Sequence, residues 1–177
     1  LGGRGIAGDP LERVLPLTDA PPQGRAALLL LDVSGSMVDL MDELTDATAR
    51  LLRHFGPDDR VAYVPFSSRP ADGSGWQRAA EARWNLHSLS AGGNTFLGPA
   101  LLEAERLLHE VTGERRLFVI SDGKWKDRDD PALAQRLAGL GGIHRAALFV
   151  QEDVPAESKA LFPVSITAKD DLAAALE

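Results

Sequence analysis

The sequence of 177 residues contains no cysteine. This absence excludes disulfide bonds, thiolate nucleophiles and zinc sites built from cysteine. Histidine is also scarce, and the four that occur do not have the spacing of metal ligands: His54, His87, His109 and His144. We interpret these histidines as structural or surface residues, so they do not point to a metal or catalytic site.

Basic residues are too few for a nucleic-acid-binding surface. Lysine and arginine number 19 against 26 acidic residues, which gives a net charge of −7, whereas phosphate contacts need clustered cations. No apolar run approaches the length of a transmembrane helix and no signal peptide is visible. We therefore expect neither a nucleic-acid nor a membrane partner within this chain, and a cytoplasmic location. Because the sequence starts at Leu1 rather than Met, we expect it to be a fragment.

The composition is that of one globular domain. Hydrophobic residues make up 44% of the chain, and its length suits one domain with one core. The first 24 residues are rich in glycine and proline, and only Leu11–Leu17 has the apolar content of a short strand. We interpret residues 1–24 as an N-terminal arm or linker and residues 25–177 as the folded domain.

The stretch Ala26–Met37, AALLLLDVSGSM, organises the rest of the chain. Its apolar run predicts a strand buried on both faces, as in parallel sheets. Asp32, Ser34 and Ser36 then lie on the loop that leaves the carboxyl end of that strand, which is the edge where open α/β sheets bind ligands. Three hard oxygen donors with no histidine or cysteine beside them suit Mg²⁺, Mn²⁺ or Ca²⁺.

Strand and helix patterns alternate along the chain. The predicted strands are Ala26–Asp32, Arg60–Phe66, Arg116–Ser121, Ile143–Val150 and Val164–Ile166. The predicted helices are Val38–Phe55, Gly98–Val111, Pro131–Leu137 and Lys169–Glu177. This alternation indicates βαβ crossovers. The sequence therefore predicts an α/β fold with a doubly wound, mostly parallel central sheet and helices on both faces, a Rossmann-like three-layer sandwich.

The segment Ser67–Ser90 has the weakest pattern. We expect a loop at Gly73–Gly75 and a short edge strand at Ala82–Leu86. Pro65 cannot donate a ladder hydrogen bond, so the strand that contains it should fray or lie at an edge at that point.

Two further loops carry oxygen donors where a strand or a glycine turn gives way to a helix. Thr95 follows a Gly-Gly-Asn turn, and Asp122 ends the strand before Gly123. If the strands are parallel, the loops of Asp32 and Asp122 open on the same edge of the sheet. Two neighbouring carboxylates repel each other unless they share a cation. The predicted metal site therefore consists of five residues: Asp32, Ser34, Ser36, Thr95 and Asp122.

Each of these residues also has a purely structural interpretation. A hydroxyl after Asp32 could cap the next helix, Thr95 could cap the helix that follows it, and Asp122 could be the acid of an Asp-Gly turn. Capping needs only one side chain at each helix start. It does not account for aligned donors on three loops, so we favour the metal site.

The loop after Asp122 carries two lysines and a tryptophan. Lys124 and Lys126 form either a cationic rim that attracts an acidic partner or an ordinary solvated surface. Trp125 is the tryptophan nearest the predicted site. We interpret all three tryptophans as packing residues: Trp76, Trp84 and Trp125.

Three sequence motifs resemble the von Willebrand factor A domain. They are DVSGSM at Asp32–Met37, the threonine of GGNT at Thr95, and ISDG at Ile120–Gly123. Together they look like the metal-ion-dependent adhesion site (MIDAS) of that family, whose pattern is DxSxS…T…D. The order of strands and helices over residues 26–177 fits the same fold, so the resemblance covers most of the chain but not the N-terminal arm. The amino-acid sequences around these motifs look most like those of the intracellular bacterial branch of the family.

The resemblance implies a role for each site residue. The residues that match Ser34 and Ser36 bind the ion directly in the family. Those that match Asp32 and Asp122 often act through water, and the one that matches Thr95 does either. A Glu or Asp of a partner protein completes the shell, so such sites mediate protein–protein contact. By analogy with the bacterial branch, a MoxR-type AAA+ ATPase or a related conflict or chaperone system is an expected partner.

Two other functions compete with this hypothesis. In a metal-dependent, haloacid-dehalogenase-like phosphatase, Asp32 would be the nucleophile and Lys124 would bind phosphate. Such an enzyme needs a second Asp two residues later as acid/base, and this chain has Ser34 there. The common hydrolase and nucleotide-binding motifs are also missing, so we expect no enzyme. A scaffold with a vestigial metal site is the other alternative, which the presence of all five donors weakens.

Overall fold

The computed structural model of the protein describes residues 24–167. Almost all of the expected N-terminal arm, the possible strand Leu11–Leu17 and the final helix Lys169–Glu177 lie outside the described residues. These three expectations and the division at residue 25 therefore stay predictions.

The described residues form six strands and four α-helices. The strands are β1 (Ala26–Asp32), β2 (Arg60–Phe66), β3 (Gln77–Arg78), β4 (Arg115–Ser121), β5 (Ile143–Phe149) and β6 (Val164–Thr167). The helices are α1 (Met41–Leu52), α2 (Leu97–His109), α3 (Pro131–Gly139) and α4 (Ala156–Ala160), with short 3-10 helices at Gly35–Leu40 and Leu86–Ser88. Within this part of the chain, no helix has the length and apolar character needed to cross a membrane.

The sheet has the order β3-β2-β1-β4-β5-β6. Every neighbouring pair is parallel except β2 and β3. From β1 the chain runs outward to β2 on one side, and it later returns to place β4 on the other side of β1. The loops that leave β1 and β4 therefore diverge, and they open a crevice at the carboxyl edge of the sheet.

Helices cover both faces of the sheet. In β1, Leu28 and Leu30 pack with α2 and α3, whereas Leu29 and Leu31 pack with α1. All seven residues of β1 are buried, which is why its sequence is a continuous apolar run rather than an alternating one. The predicted doubly wound α/β sheet with helices on both faces is confirmed.

Two predicted elements differ from the structure. The predicted strand at Ala82–Leu86 is wrong: the edge strand is Gln77–Arg78, which pairs with the first residues of β2. Its two residues are too few for a period to appear, so no local pattern indicates it. The predicted helix Val38–Phe55 is shorter, because the chain runs as a 3-10 helix to Leu40 before α1 begins.

Pro65 lies at an edge, as predicted. β3 pairs only with Arg60 and Val61, so within residues 24–167 no strand pairs with the outer side of β2 at Pro65. A loop covers it instead, and the Ala71 N–H donates to the Pro65 carbonyl at 2.8 Å.

Candidate metal site

Backbone hydrogen bonds join three loops at the carboxyl edge of the sheet. The Gly35 N–H donates to the Gly93 carbonyl at 3.0 Å, which joins the loop after β1 to the loop before α2. The Lys126 N–H donates to the Thr95 carbonyl at 2.9 Å, which joins that second loop to the one after β4. The structure therefore brings together the three loops that carry the predicted site residues.

Glycine on both sides favours the first of these contacts. A Cβ on Gly35 would lie 3.1 Å from the Gly93 carbonyl oxygen, and Gly93 has a φ of +79°. Residues other than glycine rarely adopt that backbone conformation. The glycines of DVSGSM and GGNT thus allow two loops to approach at backbone distance.

Asp32 is fully buried and accepts hydrogen bonds through both oxygens. Oδ1 accepts from the Ser34 N–H at 2.9 Å, and Oδ2 accepts from the Ser121 hydroxyl at 2.5 Å. Burial raises the pKa of Asp32 to about 6, and the nearby Asp122 carboxylate adds to the rise, while the hydrogen bonds oppose it. A buried carboxylate with a second one close by is an environment that favours a cation.

The two serines place their hydroxyls together. The Ser34 and Ser36 Oγ atoms are 3.2 Å apart. Ser34 is buried and Ser36 is exposed, so the pair leads from the interior to the surface. No side chain within residues 24–167 caps the 3-10 helix that starts here, and the capping interpretation of these hydroxyls is therefore wrong.

Asp122 has one oxygen without a partner. Its Oδ1 accepts from the Lys124 N–H at 3.1 Å, as expected for the acid of an Asp-Gly turn. Its Oδ2 is buried and has no hydrogen-bond partner among the described residues. Such an atom costs about 1–3 kcal/mol, and more when charged. A cation, or water bound to one, would supply what this oxygen lacks, so the residues present fit a hard divalent ion.

Thr95 does not cap α2. The first N–H groups of α2, those of Leu97 and Gly98, donate to the Asp127 carboxylate at 3.0 and 2.7 Å. Thr95 lies just before the helix and is only 5% exposed. The capping interpretation of Thr95 is therefore wrong, and its place on the second loop agrees with a role at the site.

Sequence reasoning missed two residues that build the site, Ser121 and Asp127. A signal for Ser121 exists in the alternation of β4. Leu117 and Val119 face the α2 side of the sheet, and Ser121 continues that series as a polar residue in phase with buried ones. Asp127 has no comparable signal, because its partner helix starts 30 residues earlier.

Trp125 is a packing residue, as predicted. It is 0% exposed, and its ring centroid lies 5.9 Å from those of both Phe149 and Phe162. Its indole N–H also donates to the Ser121 hydroxyl at 2.9 Å.

The two lysines beside Trp125 are exposed at the rim of the site. Lys126 Nζ donates to Asn94 Oδ1 at 2.6 Å, and Lys124 Nζ lies 3.4 Å from Gln151 Oε1. Neither lysine makes an ion pair among those found in the described residues.

The geometry argues against Asp32 as a phosphatase nucleophile. Asp32 has no exposed surface and both of its oxygens already accept hydrogen bonds. Within residues 24–167 there is also no cluster of three or more acidic or histidine side chains that could hold a metal. Any cation at this edge therefore depends on the hydroxyls as well as on the two aspartates.

A model of the von Willebrand factor type A domain family matches residues 27–124. This match covers more than half of the chain, and the fold described above agrees with it. The chain belongs to the von Willebrand factor type A domain family. No protein among the curated sequences matches it.

Solved structures share the fold at low sequence identity. The ArnB paralog VWA2 from Sulfolobus acidocaldarius has a TM-score of 0.66 and 18% identity over 85% of this chain and 44% of its own. An aerotolerance-related membrane protein from Bacteroides fragilis has a TM-score of 0.61 and 16% identity over 88% and 98%.

A third similar structure is that of a protein with a bound metal. Proximal thread matrix protein 1 from the mussel byssus, with a zinc-occupied MIDAS motif, has a TM-score of 0.63 and 16% identity over 86% of this chain and 46% of its own. This chain spans less than half the length of several proteins it resembles, and only 20% of a pilus tip protein from Porphyromonas gingivalis.

Proposed function

We propose that this domain is a protein-binding module whose contact with its partner depends on a divalent cation. The cation would be held at a MIDAS by Asp32, Ser34, Ser36, Thr95 and Asp122. The observation that carries this proposal is the unpaired, buried Oδ2 of Asp122 close to a second buried carboxylate. A bound cation would neutralise these two charges and offer a coordination position to an acidic ligand.

The donor set favours Mg²⁺, with Mn²⁺ or Ca²⁺ as alternatives. Carboxylate and hydroxyl oxygens are hard ligands, and no softer side chain is among the five. The zinc in the MIDAS of the mussel protein is consistent with a divalent ion in this family.

The partner is proposed to present a Glu or Asp to the site. The exposed Lys124 and Lys126 lie on the loop that also carries Asp122, and their charge would favour the approach of an acidic segment. We further propose a MoxR-type AAA+ ATPase, or a conflict or chaperone system of the bacterial cytoplasm, as the setting in which this partner acts. That step depends on the resemblance of the motifs to the intracellular bacterial branch.

Calorimetric titration with Mg²⁺ and Mn²⁺ tests the metal site. We expect binding to the wild-type domain and a loss of at least about tenfold in affinity for Asp122→Asn, which removes the charge but keeps the shape. Asp58→Asn is the matched control, because Asp58 is exposed in the turn before β2 at the opposite edge of the sheet. Equal affinity in the two variants would contradict the proposal.

Capture of partners tests the second half of the proposal. The immobilised domain is exposed to a cell lysate in Mg²⁺, in EDTA, and in EDTA followed by excess Mg²⁺. We expect a partner that is retained in Mg²⁺, released by EDTA and recovered on replacement, and that is not retained by Asp122→Asn. A set of retained proteins that is the same in all lanes would exclude metal-bridged binding.

A further inference from the structure

We propose that Ser121 and Trp125 are positioning residues for the cation site. The Trp125 indole N–H orients the Ser121 hydroxyl, and that hydroxyl holds the Asp32 carboxylate in place. The inference rests on the proposed function. It assigns part of the cation affinity to two side chains outside the set of five donors.

The hydrogen-bond geometry leaves the Ser121 hydroxyl one direction in which to donate. Its Oγ accepts from the Gly123 N–H and from the Trp125 indole N–H, each at 2.9 Å. A hydroxyl oxygen has two acceptor sites and one hydrogen. With both acceptor sites filled, the hydrogen must point to Asp32 Oδ2, which lies 2.5 Å away.

Loss of the indole N–H would leave this hydroxyl free to turn. One acceptor site on Oγ would become vacant, and no water can enter to fill it easily, because Asp32, Ser121 and Trp125 are all 0% exposed. The carboxylate would then lose a fixed partner on one oxygen. Since Oδ1 of Asp32 is already committed to the Ser34 N–H, the orientation of the first loop depends on both bonds.

Packing from β5 and from the segment after α4, on the same face of the sheet as α2 and α3, holds Trp125 itself. Phe149 is the last residue of β5, and Phe162 follows α4 in the chain; both rings contact the indole. Asp32 lies at the crevice between the loops that leave β1 and β4. Its position is therefore tied to elements that contribute no donor to the site. Hydrogen bonds to a charged acceptor are stronger than neutral ones, so the Ser121–Asp32 bond is the strongest hydrogen bond in this connection.

Two substitutions separate this role from simple packing. Trp125→Phe keeps an aromatic ring and removes the N–H, and Ser121→Ala removes the hydroxyl. Partners of metal ligands typically contribute about 10–100-fold to metal affinity, so we expect Mn²⁺ to bind at least about tenfold more weakly to Ser121→Ala. We expect a smaller but measurable loss for Trp125→Phe, because Trp125 acts through Ser121. The control for the loss of an indole N–H is Trp76→Phe, because the half-buried Trp76 donates to the Leu107 carbonyl at 3.3 Å, away from the site.

The result that overturns the proposal is a folded Trp125→Phe domain that binds Mn²⁺ as tightly as the Trp76→Phe control. Thermal melting of each variant without metal establishes that it is folded. A measurement on the wild-type protein keeps the test independent of any variant that fails to fold.

That measurement is a Mg²⁺ titration of the ¹⁵N-labelled wild-type domain followed by NMR. We expect the indole N–H resonance of Trp125 to shift on saturation while those of Trp76 and Trp84 do not. If the Ser34 and Ser36 amide resonances shift and the Trp125 indole does not, this inference is wrong and the proposed function stands. If no resonance shifts, the proposed function itself fails.

Discussion

At the scale of single residues, Asp32 ties the stability of the metal-free domain to pH. Its folded-state pKa is about 6, against an ordinary value of 3.8, and burial is the main cause. Between these values the folded protein binds a proton that the unfolded chain does not. Asp32 therefore contributes stability that is fully present below about pH 4 and is lost as the pH rises through about 6.

Comparison of the wild-type domain with Asp32→Asn isolates this effect. The variant has no titrating group at residue 32, so the wild type should lose about 3 kcal/mol of unfolding free energy relative to it between pH 4 and pH 7.5. Urea unfolding of the metal-free proteins at several pH values measures the difference. Saturating Mg²⁺ at pH 7.5 should stabilise the wild type more than the variant; a difference between the two proteins that does not change with pH would contradict the prediction.

Gly123, on the loop after β4, has no room for a side chain. It has a φ of +77°, and a Cβ there would lie 2.7 Å from Val154 Cγ1 and 2.9 Å from Phe149 Cε1. We expect Gly123→Ala to lower the unfolding free energy by about 2–4 kcal/mol, because the cost of backbone strain and the cost of overpacking are summed at this position. Urea unfolding tests this. The control is Gly139→Ala in α3, where the space is open and about 0.4–1 kcal/mol of stabilisation is expected; equal effects would show that the contacts of Gly123 do not matter.

At the scale of elements, α2 is positioned by an acid that belongs to another loop. The Asp127 carboxylate accepts from both Leu97 and Gly98, and negative charge at a helix N-terminus is favourable. Because Thr95 immediately precedes α2, this cap also fixes the second loop of the site. We expect Asp127→Ala to cost about 1–2 kcal/mol of stability and to weaken Mn²⁺ binding, measured by thermal unfolding and calorimetry.

A second capped helix provides the comparison. Asp130 caps α3 by accepting from the Ala132 N–H at 2.9 Å, and α3 carries none of the five donors. Asp130→Ala should lower stability by about 1 kcal/mol and leave Mn²⁺ affinity unchanged. If both variants bind Mn²⁺ as the wild type does, the cap on α2 serves stability alone.

At the scale of the whole molecule, a buried ion pair lies at the end of the sheet opposite the candidate site. Arg25, just before β1, donates through Nε and Nη2 to Asp59, just before β2, with the shorter distance 2.7 Å. Asp59 is 0% exposed and Arg25 is 7% exposed. The pair closes the amino ends of β1 and β2, far from the loops that carry the five donors.

Removal of one partner of this pair should therefore affect folding and not binding. Asp59→Ala leaves a buried guanidinium without its carboxylate, and we expect a loss of about 3–5 kcal/mol of unfolding free energy. Calorimetry at low temperature, where the variant is folded, should give the wild-type Mn²⁺ affinity. A parallel loss of affinity would show that the two ends of the sheet are coupled.

Local pattern was sufficient for most of this architecture. The apolar run of β1 and the helical spacing of α1 and α2 depend on neighbouring residues, so the alternation of strands and helices could be predicted from the chain. The short elements could not: β3 has two residues and α4 has five, which is too few for a period to appear. Once the strands were predicted to be parallel, the Asp32 and Asp122 loops could be placed at the same edge of the sheet.

The sequence by itself determined which residues end the central strands, and hence which polar side chains reach the carboxyl edge, because burial on both faces imposes its own residue pattern. Only the tertiary structure decided how those side chains are held. The Ser121–Asp32 bond joins residues 89 apart in the chain, and the Asp127 cap joins residues 30 apart. The unpaired oxygen of Asp122 is likewise defined by what surrounds it in space. Such contacts leave no local period in a sequence, since they depend on which loops the folded sheet brings together.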